Sequence, residues 1–564
     1  MRLTVPLVDQ LSGYGRDAAR ADIQAGLTVG VMLVPQGMAY ALVAGLPPIY
    51  GLYAGLIPLV LYALFGTSRH LAVGPVAMIS LLVATAVEPL AGGDADRYVA
   101  LALTLSLVSG AALLAFGLAQ AGFLASFLSH PVLTGFTAAA ALIIGSSQLK
   151  HVLGVPVESG HNFISTITEL AGRVPEANLQ AVAFGVLGIA ILLILRRVNR
   201  RWPGALVVVV AATAVSWLLR DSLTGLSIIG EIPAGLPELG APAFSFADVR
   251  LVAPSALVIG LVGYMESIAI AKSMANRHSY KIDPSAELRA LGLANIAGFF
   301  AQAFPTTGGL SRTAVNEQAG ARTNVAGLVA AIVVGLVLLF LTPAFYHLPK
   351  AILGAIILVA VSGLVDGAEF RRLWRMSKLE FLLAALTLVL TLFAGVEIGI
   401  MVGVVVSLML VVYRSSRPHT AVLGRLPDTT TYRNIQRNPD ALTDPSVLVY
   451  RVDASLYFAN IEFIVDQVLE LIDDARQSGQ EESPVRHVVL DFYSVNHVDT
   501  TAEHRLMELV RLLEERGIST RFVGVKGPVR DALILGGCLP PEHGPHTFPD
   551  VHSAVHPLME GSGP

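Results

Sequence analysis

Residues Ala303 to Ala321 read AFPTTGGLSRTAVNEQAGA, a polar, glycine-broken run between two long apolar segments. Leu71 to Ser80, LAVGPVAMIS, is a shorter counterpart in the first half of the chain. At membrane depth a backbone can leave helical geometry only where protein or a watery cavity satisfies the freed N–H and C=O groups, so each break is a candidate binding site. Gly308 and Gly309 can supply the irregular turn, after which Ser311, Arg312 and Thr313 open a half-helix with unpaired N–H groups at its start. Gly74 and Pro75 can do the same in the other stretch, with Pro75 in the first turn, where its missing N–H is no loss. Two such N-termini facing one another, each carrying about half an elementary charge, make an anion site without an ionised side chain. Arg312 adds a full positive charge. Short, Gly/Pro-interrupted segments at matching places in two halves are the pattern of a secondary transporter's midplane site.

Composition agrees with a membrane setting. The 564 residues are 54% hydrophobic and only 14% charged, with a mean hydropathy of +0.65, far too apolar for an ordinary soluble protein. The net charge of -4 carries no clustered basic face of the kind nucleic-acid binding needs. Cys538 is the single cysteine, which excludes an intramolecular disulfide and any cysteine-built metal cluster, and it reads as a plain core residue. Arg2, Arg16 and Arg20 precede the first apolar run without a cleavage-site pattern, so no removable signal peptide is expected.

Apolar runs of spanning or half-spanning length recur from residue 23 to the region of Arg414, about fourteen in all. An even count puts both termini on one side. Arg196, Arg197, Arg200 and Arg201, then Lys272, Arg277, Lys281 and Arg289, then Arg371, Arg372, Arg375 and Lys378 fall in loops on the side of the N-terminus. Lysine and arginine prefer cytoplasmic loops, so that side is the cytoplasm. Dividing the spans seven and seven makes the second half enter from the opposite side, an inverted repeat, with the broken segments (about 73–88 and 308–321) third and tenth. The domains expected are a cytoplasmic N-terminus (1–22), a transmembrane domain (23–414), a linker (415–446) and a soluble α/β domain (447–560). In that last domain VLVYRVD and LYFAN read as strands, Ile461 to Gln477 as an amphipathic helix, VRHVVLDFYSV as a buried strand, Ala502 to Glu515 as a helix, TRFVGV as a strand and PVRDALILGG as a helix. The final EGSGP reads as a disordered tail.

VPQGMAYALVAGLPPIYGLYAGLIPLVLYALFGTSRHLAVGP (Val34 to Pro75) resembles the signature of the sulfate permease (SulP) family, prokaryotic relatives of the solute carrier 26 anion transporters. SAELRALGLANIAGFF and GGLSRTAVNEQAGARTNVAGL are similar to the same family in the second half, and VLDFYSVNHVDTTA is similar to the core of a STAS domain. The resemblance implies an all-α polytopic membrane domain with core and gate subdomains of the UraA-like fold, a cytoplasmic α/β STAS domain, a homodimer and elevator-type transport. It also implies the cytoplasmic (inner) membrane of a bacterium and no cofactor.

Arg312 at membrane depth costs several kcal/mol unless paired or hydrated, which marks it as functional, the alternative being an arginine that bonds carbonyls near the broken helix. The family places the serine and arginine of the LSR triplet, here Ser311 and Arg312, at the substrate. Gln36 and Tyr40 lie four apart on one face of the first span and both can donate hydrogen bonds to an anion, although a buried glutamine can equally satisfy a neighbouring carbonyl. In the family these positions line the pocket. Val76 matches a pocket-wall position where many relatives carry phenylalanine.

Glu266 lies mid-span, where a lone carboxylate in low dielectric binds a proton more readily and can exchange it near neutral pH. The family's proton-coupled members carry an acid in this span, which gives Glu266 the coupling role; the alternative is a standing ion pair with Arg312 or Lys272. Lys272, Glu287 and Arg289 read as interfacial, and Asn316 and Glu317 as closing the half-helix. Asp499, Thr500 and Thr501 stand where STAS proteins of the antagonist type carry an aspartate and a phosphorylatable serine pair, but Ala502 replaces the expected glycine and a helix N-cap is favoured for Asp499.

The expected function is proton-coupled uptake of sulfate or a related small oxyanion or carboxylate. A sodium-dependent bicarbonate carrier, an anion channel and a membrane sensor acting through the STAS domain are the alternatives. Neither a metal-ligand cluster nor a nucleophile–base constellation suggests an enzyme.

Overall fold

The computed structural model describes residues 5–126, 129–157, 163–198, 204–223, 225–242, 244–477, 485–539 and 547–560. The chain divides into two compact units, Met1–Ser407 and Leu408–Pro564.

The first unit is helical. In chain order its main helices are α1 (Arg16–Val43), α2 (Pro48–Ala54), α3 (Ile57–Phe65), α4 (Ala77–Ala91), α5 (Ala95–Leu118), α6 (His130–Leu153), α7 (Leu179–Val198) and α8 (Gly204–Leu218). After a long connection come α9 (Phe246–His278), α10 (Pro284–Phe300), α11 (Leu310–Gln318), α12 (Val325–Leu336), α13 (Lys350–Val361), α14 (Lys378–Phe393) and α15 (Val396–Ser416, which runs into the second unit). Among the described residues eight helical segments are long and apolar enough to cross a bilayer. Side chains at several helix starts satisfy first-turn N–H groups: Asp94 caps α5, Asp283 caps α10, and Ser245 with Asp248 closes a capping box on α9. Val186, Leu187 and Ile194 of α7 and Leu382, Val389 and Phe393 of α14 point outward, as lipid-facing side chains do.

Small residues let the inner helices approach. A Cβ on Gly26 of α1 would lie 2.5 Å from the Ala326 carbonyl of α12 and also 2.5 Å from Val329 Cβ. Gly37 of α1 and Gly51 of α2 pack backbone to backbone, with no room for a side chain on either. This close packing leaves α1 and α12 as one wall of the unit.

Two strands, β1 (Val73–Gly74) and β2 (Thr307–Gly308), interrupt the helices at the two places the glycines indicated. They pair with each other antiparallel, Val73 opposite Gly308 and Gly74 opposite Thr307. Segments 233 residues apart in sequence thus form one ribbon, and the antiparallel sense is what an inverted repeat requires.

The second unit holds a six-stranded sheet in the order β4-β3-β5-β6-β7-β8, from β3 (Thr420–Arg425), β4 (Tyr432–Asn434), β5 (Val447–Val452), β6 (His487–Asp491), β7 (Ser519–Val523) and β8 (Thr547–Phe548). β5 to β8 run parallel, and β3 is antiparallel to both its neighbours. Leu448, Tyr450 and Val452 pack with helices α16 (Ile461–Gln477), α17 (Thr500–Glu515) and α18 (Gly527–Leu535), while Val447 and Val449 pack with α19 (Val551–Glu560) on the other face. Cys538 packs partly buried against the first of these cores, and burial pushes its thiol pKa up to about 12.

Three expectations are corrected here. Residues 415–446, read as a linker, contain β3 and β4, so the sheet begins before Val447. LYFAN is not a strand: only Leu456 bridges, to Val498, and the chain turns at once into α16. Pro75 is not in the first turn of α4; it precedes the N-cap, Val76. Arg200 and Arg201, and the EGSGP tail from Gly561 on, lie outside the described residues.

Candidate functional site

The β1–β2 ribbon aims two helix starts at one place. α4 begins after Val76 and α11 after Gly309, each immediately beyond its strand. Gly309 N–H donates to the Ala72 carbonyl at 3.0 Å, which extends the pairing. The first N–H groups of α4 and α11 have no partner within their own helices, so the ribbon collects two positive dipole ends.

Arg312 sits between them and is 1% exposed. Its Nη1 donates to the Pro75 carbonyl at 2.7 Å, while Nε and Nη2 are buried with no hydrogen-bond partner. The guanidinium lies over the two turn glycines: a Cβ on Gly309 would come 2.8 Å from Nη2, and one on Gly74 3.4 Å. Any side chain at 309 would occupy the space of the cation. A buried polar group ordinarily finds its partners, and two unmet donors on a buried cation are therefore a feature to explain.

Other orphaned polar atoms accompany it. Gln36 is buried with Oε1 unpartnered, Ser80 of α4 is fully buried with Oγ unpartnered, and half-buried Glu266 has Oε2 unpartnered. Tyr40 and Glu266 lie within electrostatic reach of Arg312, yet among the described residues no ion pair joins Glu266 to Arg312 or to Lys272. The standing ion pair is thus not the arrangement found. Val76 is buried and would touch a Cβ at Gly309, which makes it wall rather than ligand. Ser311 is exposed on the first turn of α11, so the structure sets it apart from the buried group around Arg312.

The helix that carries Glu266 is tied to the ribbon. Thr307 Oγ1 donates to the Gly263 carbonyl at 2.5 Å, and Ser267 Oγ, 2.5 Å from Thr307 Oγ1, accepts from Gly308 N–H at 2.8 Å. On the other side Thr313 Oγ1 accepts from Ala72 N–H at 3.1 Å, and Asn316 Nδ2 donates to the His70 carbonyl at 2.9 Å. Glu317 pairs with His278 at 2.9 Å and Arg277 at 3.5 Å, which fixes the end of α11 to the end of α9. Three elements, β1, α9 and α11, are thus bonded to one another through β2 and its flanks.

Glu287 is not interfacial, as its place in SAELRAL suggested; it is fully buried. Its carboxylate accepts from Tyr62 Oη (2.8 Å), Thr67 N–H (2.7 Å), Thr67 Oγ1 (2.6 Å) and Ser68 N–H (3.1 Å), pinning the loop that leads into β1. Asp22 does the same for the loop that leaves α11, accepting from Arg322 N–H (2.6 Å), Thr323 N–H (3.1 Å), Thr323 Oγ1 (2.5 Å) and Tyr14 Oη (3.1 Å). Asp22 was not named from the sequence and Glu287 was placed at the interface, since an acid near the end of a span reads as solvated. Ser80 was missed too, although a hydroxyl just past a Gly-Pro break is a signal.

Comparison with known proteins supports this architecture. Residues 20–387 match the model of the sulfate permease family, and residues 438–554 match the STAS domain. The chain belongs to the sulfate permease family. It is 38% identical over 552 residues to sulfate transporter 4.1, chloroplastic, of Arabidopsis thaliana, covering 96% of this chain and 80% of that one. It is 37% identical over 550 residues to a probable sulfate transporter of Mycobacterium tuberculosis, covering 98% and 97% respectively. The structure of the murine solute carrier 26 family member A9 anion transporter in the inward-facing state superposes with a TM-score of 0.89 at 28% identity, covering 99% of this chain and 94% of that one. The chain is thus a multi-pass membrane protein of a transporter family, not an enzyme.

In the STAS domain Asp499 caps α17. Its Oδ1 accepts from Ala502 N–H at 2.8 Å and its Oδ2 from Phe458 N–H at 2.9 Å, so both oxygens hold backbone. Thr500 and Thr501 occupy the first turn behind it.

Proposed function

We propose that this protein is a secondary active anion transporter that takes up sulfate, or a related small oxyanion or carboxylate, together with protons. The observation that carries the reading is Arg312: a buried cation with one carbonyl bond and two unmet donors, seated where two helix starts converge. An oxyanion supplies the acceptors that these donors lack, and leaving them unmet costs about 1–3 kcal/mol each. Gln36 and Tyr40 bind the anion with Arg312, Val76 shapes the wall, and Ser311 joins at the exposed edge when the substrate is bound. Gly74, Pro75, Gly308 and Gly309 hold the half-helix turns open. Glu266 takes up the coupling proton, so that the charge carried across the bilayer falls.

In this reading residues 23–414 form the transport domain and 447–560, with the strands preceding them, the STAS domain. The pieces locked together by the β1–β2 ribbon travel as the moving core of an elevator, in a homodimer. Both termini face the cytoplasm of a bacterium, and the membrane is its inner one.

A competition panel in proteoliposomes tests this. Labelled sulfate uptake is driven by an imposed proton gradient or an imposed sodium gradient and challenged with bicarbonate, chloride and dicarboxylates. Saturable uptake that follows the proton gradient and is competed by oxyanions supports the reading. Uptake that follows sodium and is competed by bicarbonate alone replaces it with the bicarbonate carrier, large gradient-independent currents replace it with a channel, and no flux replaces it with a sensor.

A further inference from the structure

A groove of about 1180 Å³ opens on the outside of the membrane unit, between α1, α8 and the segment that follows α12. Its walls are apolar and turned outward: Val210, Trp217 and Leu336 are 58%, 52% and 50% exposed. In a chain of this hydropathy such a surface meets hydrocarbon rather than water. From Leu206 to Trp217 the groove follows α8 for roughly 16 Å, about half the 30 Å thickness of a bilayer's apolar core and so the depth of one leaflet. Beyond Leu336 the helix widens into a π-turn, Val337–Leu341, which forms part of the same wall. Such turns recur at functional positions.

Glu231 and His347 are the acid and the imidazole among the lining residues, which also include Trp217 near the end of α8. Gly230 N–H donates to the Tyr346 carbonyl at 3.1 Å and Ile229 N–H to the Leu348 carbonyl at 2.9 Å, so the two segments bearing Glu231 and His347 lie side by side. An acid and an imidazole at an interfacial tryptophan suit a zwitterionic headgroup, the acid facing its amine and the imidazole its phosphate.

We propose that this groove is a binding site for a zwitterionic phospholipid of the leaflet opposite the N-terminus, with one acyl chain along α8 and the headgroup on Glu231 and His347. The chain lies against Val31 and Val34 of α1, whereas Gln36 and Tyr40 are on the other side of that helix, about 120–180° away at 100° per residue. A bound chain therefore braces from behind the helix that faces the candidate anion site. The lipid site itself holds whichever anion is carried.

Tryptophan quenching tests it. With Trp202→Phe and Trp374→Phe, Trp217 is the one tryptophan of the three that remains. The protein is reconstituted in vesicles with increasing fractions of brominated phosphatidylethanolamine or brominated phosphatidylglycerol. Quenching is expected to saturate, with phosphatidylethanolamine favoured about fivefold. Glu231→Gln should remove the preference and leave the quenching. Ala214→Phe, or Val210→Phe should the first not fold, should fill the groove and turn the response linear and headgroup-blind. A linear, headgroup-blind response in the parent protein overturns the proposal in favour of ordinary bilayer contact. Absence of quenching, with cysteines placed at 210 cross-linking two copies, overturns it in favour of a protein interface.

Discussion

Two buried charges in the same bundle are treated in opposite ways. Glu287 has all its neighbours' donors turned towards it and accepts four hydrogen bonds; Arg312 has one bond and two nitrogens that meet nothing. Both side chains are buried, and both carry the cost of desolvation. A saturated buried charge is a pin, because its partners are already those it needs. An unsaturated one is a socket, because its cost is recovered only when something else arrives. Asp22 belongs with Glu287 as a pin, and Gln36, Ser80 and Glu266 with Arg312 as orphans.

The sharpest test of this contrast is at Glu287. Glu287→Ala leaves Tyr62, Thr67 and Ser68 with buried donors and no acceptor, and should destabilise the membrane unit by about 3–5 kcal/mol, read as a large fall in the thermal midpoint in detergent or as loss of folded protein. If the midpoint holds, the pin is decorative and the comparison fails at its first step.

Arg312 should respond in the reverse sense. Arg312→Met keeps much of the volume and removes the unmet donors, so the thermal midpoint should stay or rise, while anion affinity falls by on the order of 100-fold. Calorimetric titration of the purified protein with sulfate measures the affinity, and thermal unfolding in detergent measures the midpoint. Affinity within threefold of the parent would remove Arg312 from the site, and a collapse in stability would make it a second pin.

Much of this was legible in the sequence, and what was not has a common cause. Runs of apolar residues carry their own length, so the spans could be placed by reading alone: the apolar runs at about 97–119, 179–197 and 203–219 lie within two residues of α5, α7 and α8 at either end. The two breaks were legible because Gly-Pro and Gly-Gly inside such runs have few other meanings. That the breaks pair with each other was not, since two-residue strands leave no periodicity and their partners are far apart in the chain. The buried roles of Glu287 and Asp22 were illegible for a different reason: a carboxylate near a helix start is usually a solvated capping acid, and only the fold brings Thr67 or Thr323 to it. β3 went unread because TAVLGR stands among prolines, arginines and aspartates that suggest a connector, and LYFAN was read as a strand because its aromatics satisfy strand propensity while its turn is set by Asn460, whose side chain bonds Tyr457 N–H and the Ser455 carbonyl.

Glu266 tests the middle of the range. It has an orphaned oxygen but no ion-pair partner among the described residues, so Glu266→Gln should leave the fold and sulfate binding within about twofold while removing the proton-gradient dependence of uptake, a roughly tenfold loss under an imposed gradient. Counterflow exchange, which needs no gradient, should persist. A mutant that still answers a pH jump at the parental rate would return Glu266 to the scaffold.

Asp499 should give the smallest effect, and it carries the comparison into the STAS domain. Both its oxygens hold backbone, one at the start of α17 and one at Phe458, so by the saturation argument it is a pin and not a regulatory acid. It is a modest pin, because helix caps contribute about 1 kcal/mol and a first-turn N–H can turn to water at an open end. Asp499→Ala should therefore lower the stability of the domain by about 1–2 kcal/mol, and Asp499→Asn or Asp499→Ser should recover most of it, since either side chain offers an acceptor to Ala502 N–H. Denaturant unfolding followed by tryptophan-independent circular dichroism reads the loss, and sulfate uptake in the full-length variants reads its consequence. If Asp499→Asn recovers stability but uptake stays impaired, the charge rather than the cap matters there, and the residue belongs with Arg312 on the side of the sockets.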